Sequence, residues 1–150
     1  MEDYIIASAS TADTPREFFD EHNVPFISYT YLIDGEAFAD DSRESTREDI
    51  YRRMRKGTLL STSMINAYEY HTFFKSLMET GKNVIYLDMS REMSHSYVNA
   101  EEAARQIAEE FKDNRLYIMD TRCISGGLGL LLENMVRLKE DGMSFDEVIA

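Results

Sequence analysis

The 150-residue sequence lacks several features that would place it outside the cytoplasm. It has one cysteine, Cys123, so an intrachain disulfide is excluded, as is usual for proteins of a reducing compartment. No apolar run approaches the length of a membrane span. The N-terminus, MEDYIIASAS, has neither the basic flank nor the long apolar core of a signal peptide. We therefore expect a cytoplasmic protein.

Positive charge is also scarce. The chain has 28 acidic residues against 16 lysines and arginines, which gives a net charge of −12. Such a field repels a phosphate backbone, so nucleic acid is not expected as a partner. The apolar content of 43% is that of a globular protein, and the length suits one domain with its own core. An acidic soluble surface is the simplest interpretation of the charge, and an acidic face that docks on a basic partner is the alternative.

The common signatures of phosphate, nucleophile and metal sites are missing. The sequence contains no GxxxxGK[ST] loop, no GxGxxG loop and no GxSxG elbow. Its histidines, His22, His71 and His95, are scattered, and there is no HExxH or paired CxxC motif. We therefore predict no metal site and no cofactor, and we assign no catalytic residue.

What the sequence does contain is a regular alternation of apolar runs and amphipathic segments. Strand-like runs lie at 4–9, 84–89 and 116–120, and helical spacing is found at 15–22, 46–57, 67–80, 100–111 and 128–142. Residues 25–33 are also β-rich, and the Asp34-Gly35 pair that follows them is a hairpin signal. This alternation predicts an α/β fold: a three-layer domain with a mainly parallel sheet and helices on both faces.

The sequence ends on the signature of a helix start. Ser144 and Glu147 have the spacing of a capping box, but only three residues follow Glu147. Either this last turn packs on the body of the domain, or the chain is the first part of a longer protein.

Small hydroxyl side chains collect where the predicted strands end. Ligands of open α/β sheets bind at the carboxyl ends of the strands, where hydroxyls and free N–H groups suit a small anion. Helix capping explains any one such loop, but four together favour a binding site. The four groups are Ser8, Ser10 and Thr11; Ser61, Thr62 and Ser63; Ser90, Ser94, His95 and Ser96; and Thr121, Ser125, Gly126 and Gly127.

Five short motifs follow one another in an order that resembles a known family. They are ASTADTP at 9–15, DGEAFAD at 34–40, TSMIN at 62–66, SREMSHSYVNA at 90–100 and DTRCISGGLG at 120–129. Each motif alone is weak, but the ordered series extends over essentially the whole chain. It resembles the DegV family, bacterial fatty-acid-binding proteins that serve as the acyl-carrying subunit of fatty acid kinase.

The resemblance implies a site for a fatty acid carboxylate. In that family a threonine of the TS loop and the serine of an SGT loop hydrogen-bond the carboxylate, and these roles fall on Thr62 and Ser94. Neutral donors suit this task because they bind an anion well where water is scarce. Two positions depart from the pattern: Ala9 replaces an acidic residue, and His95 replaces the SGT glycine. Supporting roles fall on Ser10, Ser63, His95, Ser96, Ser125, Gly126 and Gly127.

The function that the resemblance implies is that of a carrier, not an enzyme. The chain would hold a long-chain fatty acid and present its carboxylate to a separate kinase subunit. Two alternatives stay open: an enzyme that uses the same hydroxyls for phosphoryl or acyl transfer, with His95 beside Ser94 as its base, and a scaffold domain without a tight ligand.

The resemblance also bears on the domain organisation. Family members have a second domain of similar size that covers the acyl chain and supplies a histidine, so residues 1–150 correspond to a single N-terminal domain. Without that cover, an apolar face at 30–33 (TYLI), Met64 and Ile65 should be exposed, and it offers a surface for a homodimer.

Overall fold

The computed structural model describes residues 3–150, which form two sheets and six α-helices. The strands are β1 Tyr4–Ala9, β2 Phe26–Ile27, β3 Thr30–Ile33, β4 Glu36–Ala39, β5 Leu60–Ser63, β6 Asn83–Asp88 and β7 Leu116–Asp120. The helices are α1 Arg16–Glu21, α2 Glu44–Arg55, α3 Ala67–Met78, α4 Ser96–Glu110, α5 Gly126–Glu140 and α6 Phe145–Ile149, and a short 3-10 turn, Ser10–Ala12, follows β1.

The larger sheet confirms the predicted α/β fold. Its strand order is β2-β1-β6-β7, and every neighbouring pair is parallel. The three apolar runs that the sequence predicts as strands form β1, β6 and β7. Parallel pairing brings the carboxyl ends of these strands to one edge, where the hydroxyl-rich connections begin.

The central strand β6 separates two apolar cores. Ile85 and Leu87 face one core, which is filled by α1, α5 and α6, whereas Val84 and Tyr86 face the other, filled by α3 and α4. All four side chains are fully buried. Because successive strand residues point to opposite faces, a continuous apolar run is required here, with helices on both sides. The three-layer prediction is therefore confirmed.

A second, antiparallel sheet of order β4-β3-β5 lies beside the parallel one. Strands β3 and β4 form the predicted hairpin, with Asp34 at φ 50° and Gly35 at φ 87°, as a tight turn between paired strands requires. The β-rich stretch 25–33 is thus divided between the sheets, because β2 pairs with β1 whereas β3 pairs with β4 and β5.

Two kinds of local expectation need correction. The TS segment is not a strand-end loop: Thr62 lies within β5, opposite Tyr31 of β3. This strand is largely exposed, so it carries no apolar alternation in sequence, and only its pairing with β3 reveals it. Three helices also begin earlier than predicted, α2 at Glu44, α4 at Ser96 and α5 at Gly126. Their first turns are polar or glycine-containing and therefore carry no apolar periodicity.

The last turn packs on the body of the domain. Ser144 and Glu147 form both hydrogen bonds of the capping box. Phe145 is fully buried against Tyr4, with ring centroids 5.8 Å apart and an interplanar angle of 88°. Such an edge-to-face contact adds to the apolar burial that holds a helix of only five residues.

The expected apolar face is only partly exposed. Met64 is 59% exposed, but Ile65 is buried in the core under α3 and α4, so its expected exposure is wrong. Within 30–33, Ile33 is buried and the other three residues are half-buried. In residues 3–150, no helix has the length and apolar character needed to cross a membrane.

We predict that Gly129→Ala destabilises the fold whereas Gly126→Ala does not, although both glycines lie in α5. A Cβ atom at Gly129 would come within 2.7 Å of the carbonyl oxygen of Ala12, whereas one at Gly126 meets nothing within 4 Å. Overpacking of this kind costs about 1–3 kcal/mol. Urea denaturation should show this loss for Gly129→Ala alone, and equal stability of the two variants would contradict the close packing of α5 on the 3-10 turn.

We also predict that α6 is an integral part of the fold. Phe145→Ala should lower the free energy of unfolding by about 3–5 kcal/mol, because it removes a large, fully buried ring. The control is Tyr68→Ala, since Tyr68 is 79% exposed and its loss should cost little. A similarly small effect of both substitutions on the denaturation midpoint would show that α6 does not pack as described.

Candidate functional site

A cavity of about 460 Å³ lies between the antiparallel sheet and the carboxyl ends of the parallel strands. Its walls come from strands β3 and β5 of the antiparallel sheet and from the loops that follow β1, β6 and β7, so no single segment of sequence forms it. We call it the head-group cavity. The residues that line it are Thr11, Tyr29, Thr30, Tyr31, Asp40, Thr62, Ser63, Met64, Met89, Met93, Ser94, His95 and Ile124.

The head-group cavity brings together the two residues to which the sequence assigns the main role. Thr62 reaches it from strand β5, and Ser94 from the loop between β6 and α4. The supporting residues Ser63 and His95 line it as well. Their binding of a carboxylate stays a prediction.

The other supporting residues lie elsewhere. Ser10, Ser125 and Gly126 line a second cavity of about 710 Å³, which adjoins the first at Thr62, Tyr31 and Asp40. The Ser10 hydroxyl oxygen also accepts the backbone N–H of Tyr29 at 3.0 Å.

Two of the named supporting residues line neither cavity. Ser96 is fully buried and accepts the backbone N–H of Ile65 at 3.2 Å. Gly127 lies against Cys123, where an added Cβ would be 3.1 Å from the cysteine Cβ. These two residues have packing roles, which a motif match alone does not distinguish from contact with a ligand.

The loop that carries Ser94 is fixed by local hydrogen bonds. The Ser94 Oγ accepts the backbone N–H of Ser96 at 3.1 Å and donates to the Ser96 Oγ at 3.0 Å. It therefore caps the start of α4, as hydroxyls near a helix N-terminus commonly do. His95 between them has φ −69°, an ordinary value, so the replacement of a family glycine by histidine causes no backbone strain.

No catalytic pair is formed at this loop. Among residues 3–150, no hydrogen bond joins the His95 imidazole to the Ser94 hydroxyl, whose proton is directed to Ser96 instead. A serine nucleophile needs a base within hydrogen-bonding distance. The geometry therefore gives no support to the hydroxyl-transfer alternative.

A buried carboxyl group lies directly behind the head-group cavity. Asp88, at the end of β6, is fully buried and accepts hydrogen bonds from the hydroxyls of Tyr70 at 2.6 Å and Tyr86 at 3.0 Å. The backbone N–H of Met89 is a third donor, at 2.8 Å. Burial raises the pKa of Asp88, and the hydrogen bond from Tyr70 is the largest of the effects that oppose this rise.

Sequence reasoning missed this group of residues. The motifs direct attention to the loops after the strands, whereas Asp88 is the last residue of the strand itself. The available signal was an acidic residue at the end of an otherwise apolar run, two positions after a tyrosine, because a buried carboxylate needs hydrogen-bond donors.

Two hydroxyls in the wall of the cavity have no hydrogen-bond partner. The Oη atom of Tyr29 and the Oγ1 atom of Thr11 are both buried, and both residues line the head-group cavity. Burial, followed by the charge of Asp88, raises the pKa of Tyr29, so its hydroxyl remains protonated and able to donate. Neither residue was assigned a role from sequence.

The head-group cavity has hydroxyl donors for an anion, and His95 is its one basic side chain among residues 3–150. Within residues 3–150, no lysine or arginine lines it, and its one carboxyl group, Asp40, has a pKa that burial raises. Asp40 also accepts the backbone N–H of Ser42 at 3.0 Å. A bound anion would therefore be held by hydroxyls, as the sequence predicts.

Known proteins with similar sequences share a single family. The family model described as "Uncharacterised protein, DegV family" matches residues 5–150. A DegV domain-containing protein from Clostridium perfringens is 28% identical over 149 residues, which are 99% of this chain and 51% of that protein. A DegV domain-containing protein from Lactococcus lactis is 27% identical over 151 residues, 96% of this chain and 50% of that protein.

Several solved structures are similar to this chain in fold. A stearic-acid-binding protein from Eubacterium ventriosum has a TM-score of 0.88 and 28% identity, over 98% of this chain and 51% of that one. A DegV family protein from Thermus thermophilus, described for its fatty acid binding, has a TM-score of 0.83 and 23% identity, over 99% of this chain and 51% of that one. The chain spans about half the length of the relatives it matches. Because the family model covers nearly every residue, the chain belongs to the DegV family.

Proposed function

We propose that this chain binds a long-chain fatty acid and holds the carboxylate in the head-group cavity with Thr62 and Ser94. The observation that carries the proposal is that these residues, from separate elements, line one cavity that has hydroxyl donors and, within residues 3–150, no lysine or arginine. The similar Eubacterium ventriosum structure, described as binding stearic acid, supports a ligand of this class.

The walls of the head-group cavity suit an acyl chain next to the polar head. Met64, Met89, Met93 and Ile124 supply apolar surface, and methionine adapts readily to flexible apolar ligands. Met64 is 59% exposed and Met93 58% exposed, so the apolar wall continues to the surface of the chain. The acyl chain would leave the cavity along these residues, and this surface is also where a second copy of the chain would pair in a homodimer.

The second part of the proposal concerns the fate of the ligand. The bound carboxylate is presented to a separate kinase subunit, and the chain itself has no turnover. The largely exposed position of β5 supports this view, because it leaves Thr62 reachable from outside the chain. A cytoplasmic location, a single N-terminal domain over residues 1–150 and the absence of a nucleic acid partner stay predictions from the sequence.

Analysis of lipids that copurify with the protein tests the proposal most directly. Mass spectrometry of an organic extract of the purified chain should detect long-chain fatty acids in a fixed ratio to protein. Titration of the delipidated chain with a fatty acid should then restore a saturable complex. A chain that carries no fatty acid and binds none on titration would overturn the proposal, and hydrolysis of an acyl ester or phosphoester would favour the enzyme alternative.

We predict that Thr62→Ala combined with Ser94→Ala weakens fatty acid binding by about a hundredfold or more. Each charge-assisted hydrogen bond contributes roughly 1.5–3 kcal/mol, and the double variant removes two of them. Each single variant should lose about half of this free energy. The measurement is the dissociation constant for one fatty acid, with the melting midpoint as a check of folding.

The matched control is Ser61→Ala. Ser61 precedes Thr62 on β5 and therefore points to the opposite face of the strand, and it lines neither cavity. Its loss should leave the affinity unchanged. If the folded double variant binds as tightly as the Ser61→Ala control, Thr62 and Ser94 serve only the local structure.

A further inference from the structure

The hydroxyl proton of Ser94 is already in use. It is donated to the Ser96 Oγ at 3.0 Å, while the Ser94 oxygen accepts the backbone N–H of Ser96. A hydroxyl has only one proton to donate. Ser94 therefore donates to a bound carboxylate only if it gives up its bond to Ser96, and the cost of that exchange reduces the affinity for the ligand.

Tyr29 differs from Ser94, because its hydroxyl proton has no hydrogen-bond acceptor. Its hydroxyl is buried and has no hydrogen-bond partner, which is costly in a protein interior. Burial raises the pKa of Tyr29, and the hydroxyls of Ser96, Tyr70 and Ser94 are close enough to oppose this rise. Tyr29 thus lies beside the acceptor that Ser94 would leave behind.

The hydroxyl protons of the two neighbouring tyrosines are donated to Asp88 and are not available to Ser96. Tyr70 donates to Asp88 at 2.6 Å and Tyr86 donates to the same carboxyl oxygen at 3.0 Å. Ser96 itself is fully buried, and in the described part of the chain the only other donor to its Oγ is the backbone N–H of Ile65. Of the three tyrosines around Asp88, only Tyr29 has an unused donor.

We propose that Tyr29 is a positioning residue of the head-group cavity, whose hydroxyl takes over from Ser94 as the donor to Ser96 when a carboxylate binds. The Ser94 proton then turns to the ligand, and the Ser96 oxygen keeps both of its donors. The Tyr29 hydroxyl then has an acceptor in the complex, whereas it is unpartnered in the free protein. This inference rests on the proposed function, because it requires a carboxylate acceptor at Ser94.

The proposal also predicts which head groups depend on Tyr29. A carboxylate only accepts hydrogen bonds, so it needs the Ser94 proton. A fatty alcohol of the same length has a proton of its own and can donate to the second lone pair of the Ser94 oxygen, which leaves the bond from Ser94 to Ser96 intact. Tyr29 therefore favours the acid over the alcohol.

The test is Tyr29→Phe, which keeps the ring and removes the hydroxyl. Its affinity for a fatty acid should fall about three- to tenfold, the equivalent of one internal hydrogen bond, whereas its affinity for the matching fatty alcohol should change less than twofold. Tyr68→Phe is the matched control, because Tyr68 is 79% exposed and lines neither cavity. Its affinities for both ligands should be unchanged.

A double-mutant cycle tests whether Tyr29 changes fatty acid affinity through Ser94. In the Ser94→Ala background there is no Ser94 proton to release, so Tyr29→Phe should have no further effect on fatty acid affinity. The melting midpoint of Tyr29→Phe without ligand should not fall, because the lost hydroxyl had no partner in the free protein.

Three other results would contradict the inference. Equal losses for acid and alcohol, the same loss with and without Ser94, or a Tyr29→Phe chain that does not fold would assign Tyr29 a purely structural role and overturn the inference. The proposed function would survive those results, because the unmodified chain would still bind the fatty acid. Failure of the unmodified chain to bind any fatty acid overturns both.

Discussion

Parallel pairing of β1 with β6 is the interaction on which the rest of the structure depends. The pairing aligns Tyr4 with Asn83 and continues to Ser8 opposite Leu87, so both strands end at the same edge of the sheet. Alternation along β6 gives each face its own core, and α1, α4 and α5, which help to cover those cores, follow strands that end at this edge. The candidate site is therefore a direct consequence of how the two central strands pair.

The head-group cavity combines several hydroxyl side chains with no lysine or arginine among the described residues that line it. Its hydroxyls stand close to Asp88, a buried carboxyl group whose pKa burial raises and whose oxygens are already bonded by two tyrosines and a backbone N–H. Because Tyr70 and Tyr86 already donate hydrogen bonds to Asp88, the hydroxyls nearer the cavity remain available as donors to other acceptors. An unpartnered hydroxyl in this setting is most simply understood as one whose partner arrives with the ligand.

Membership of the DegV family is consistent with this chemistry, and the departures from the family motif are accommodated locally. His95 occupies the glycine position of the SGT motif with an ordinary backbone conformation, so the loop can still present Ser94 to the cavity. The relatives are about twice as long as this chain. The exposed methionines beside the cavity mark the side on which the proposed acyl chain continues.

The sequence by itself determined the parallel sheet, the three layers and the hairpin at Asp34-Gly35, because apolar periodicity and turn chemistry are local properties of the chain. The motif order also directed attention to Thr62 and Ser94. Only the tertiary structure decided that Thr62 lies on a strand, that Ser96 and Gly127 line neither cavity, and that Tyr29 lines the head-group cavity with Asp88 behind it. The physical reason is that a side chain's partners come from distant segments: strand pairing and core packing choose them, and no local pattern records that choice.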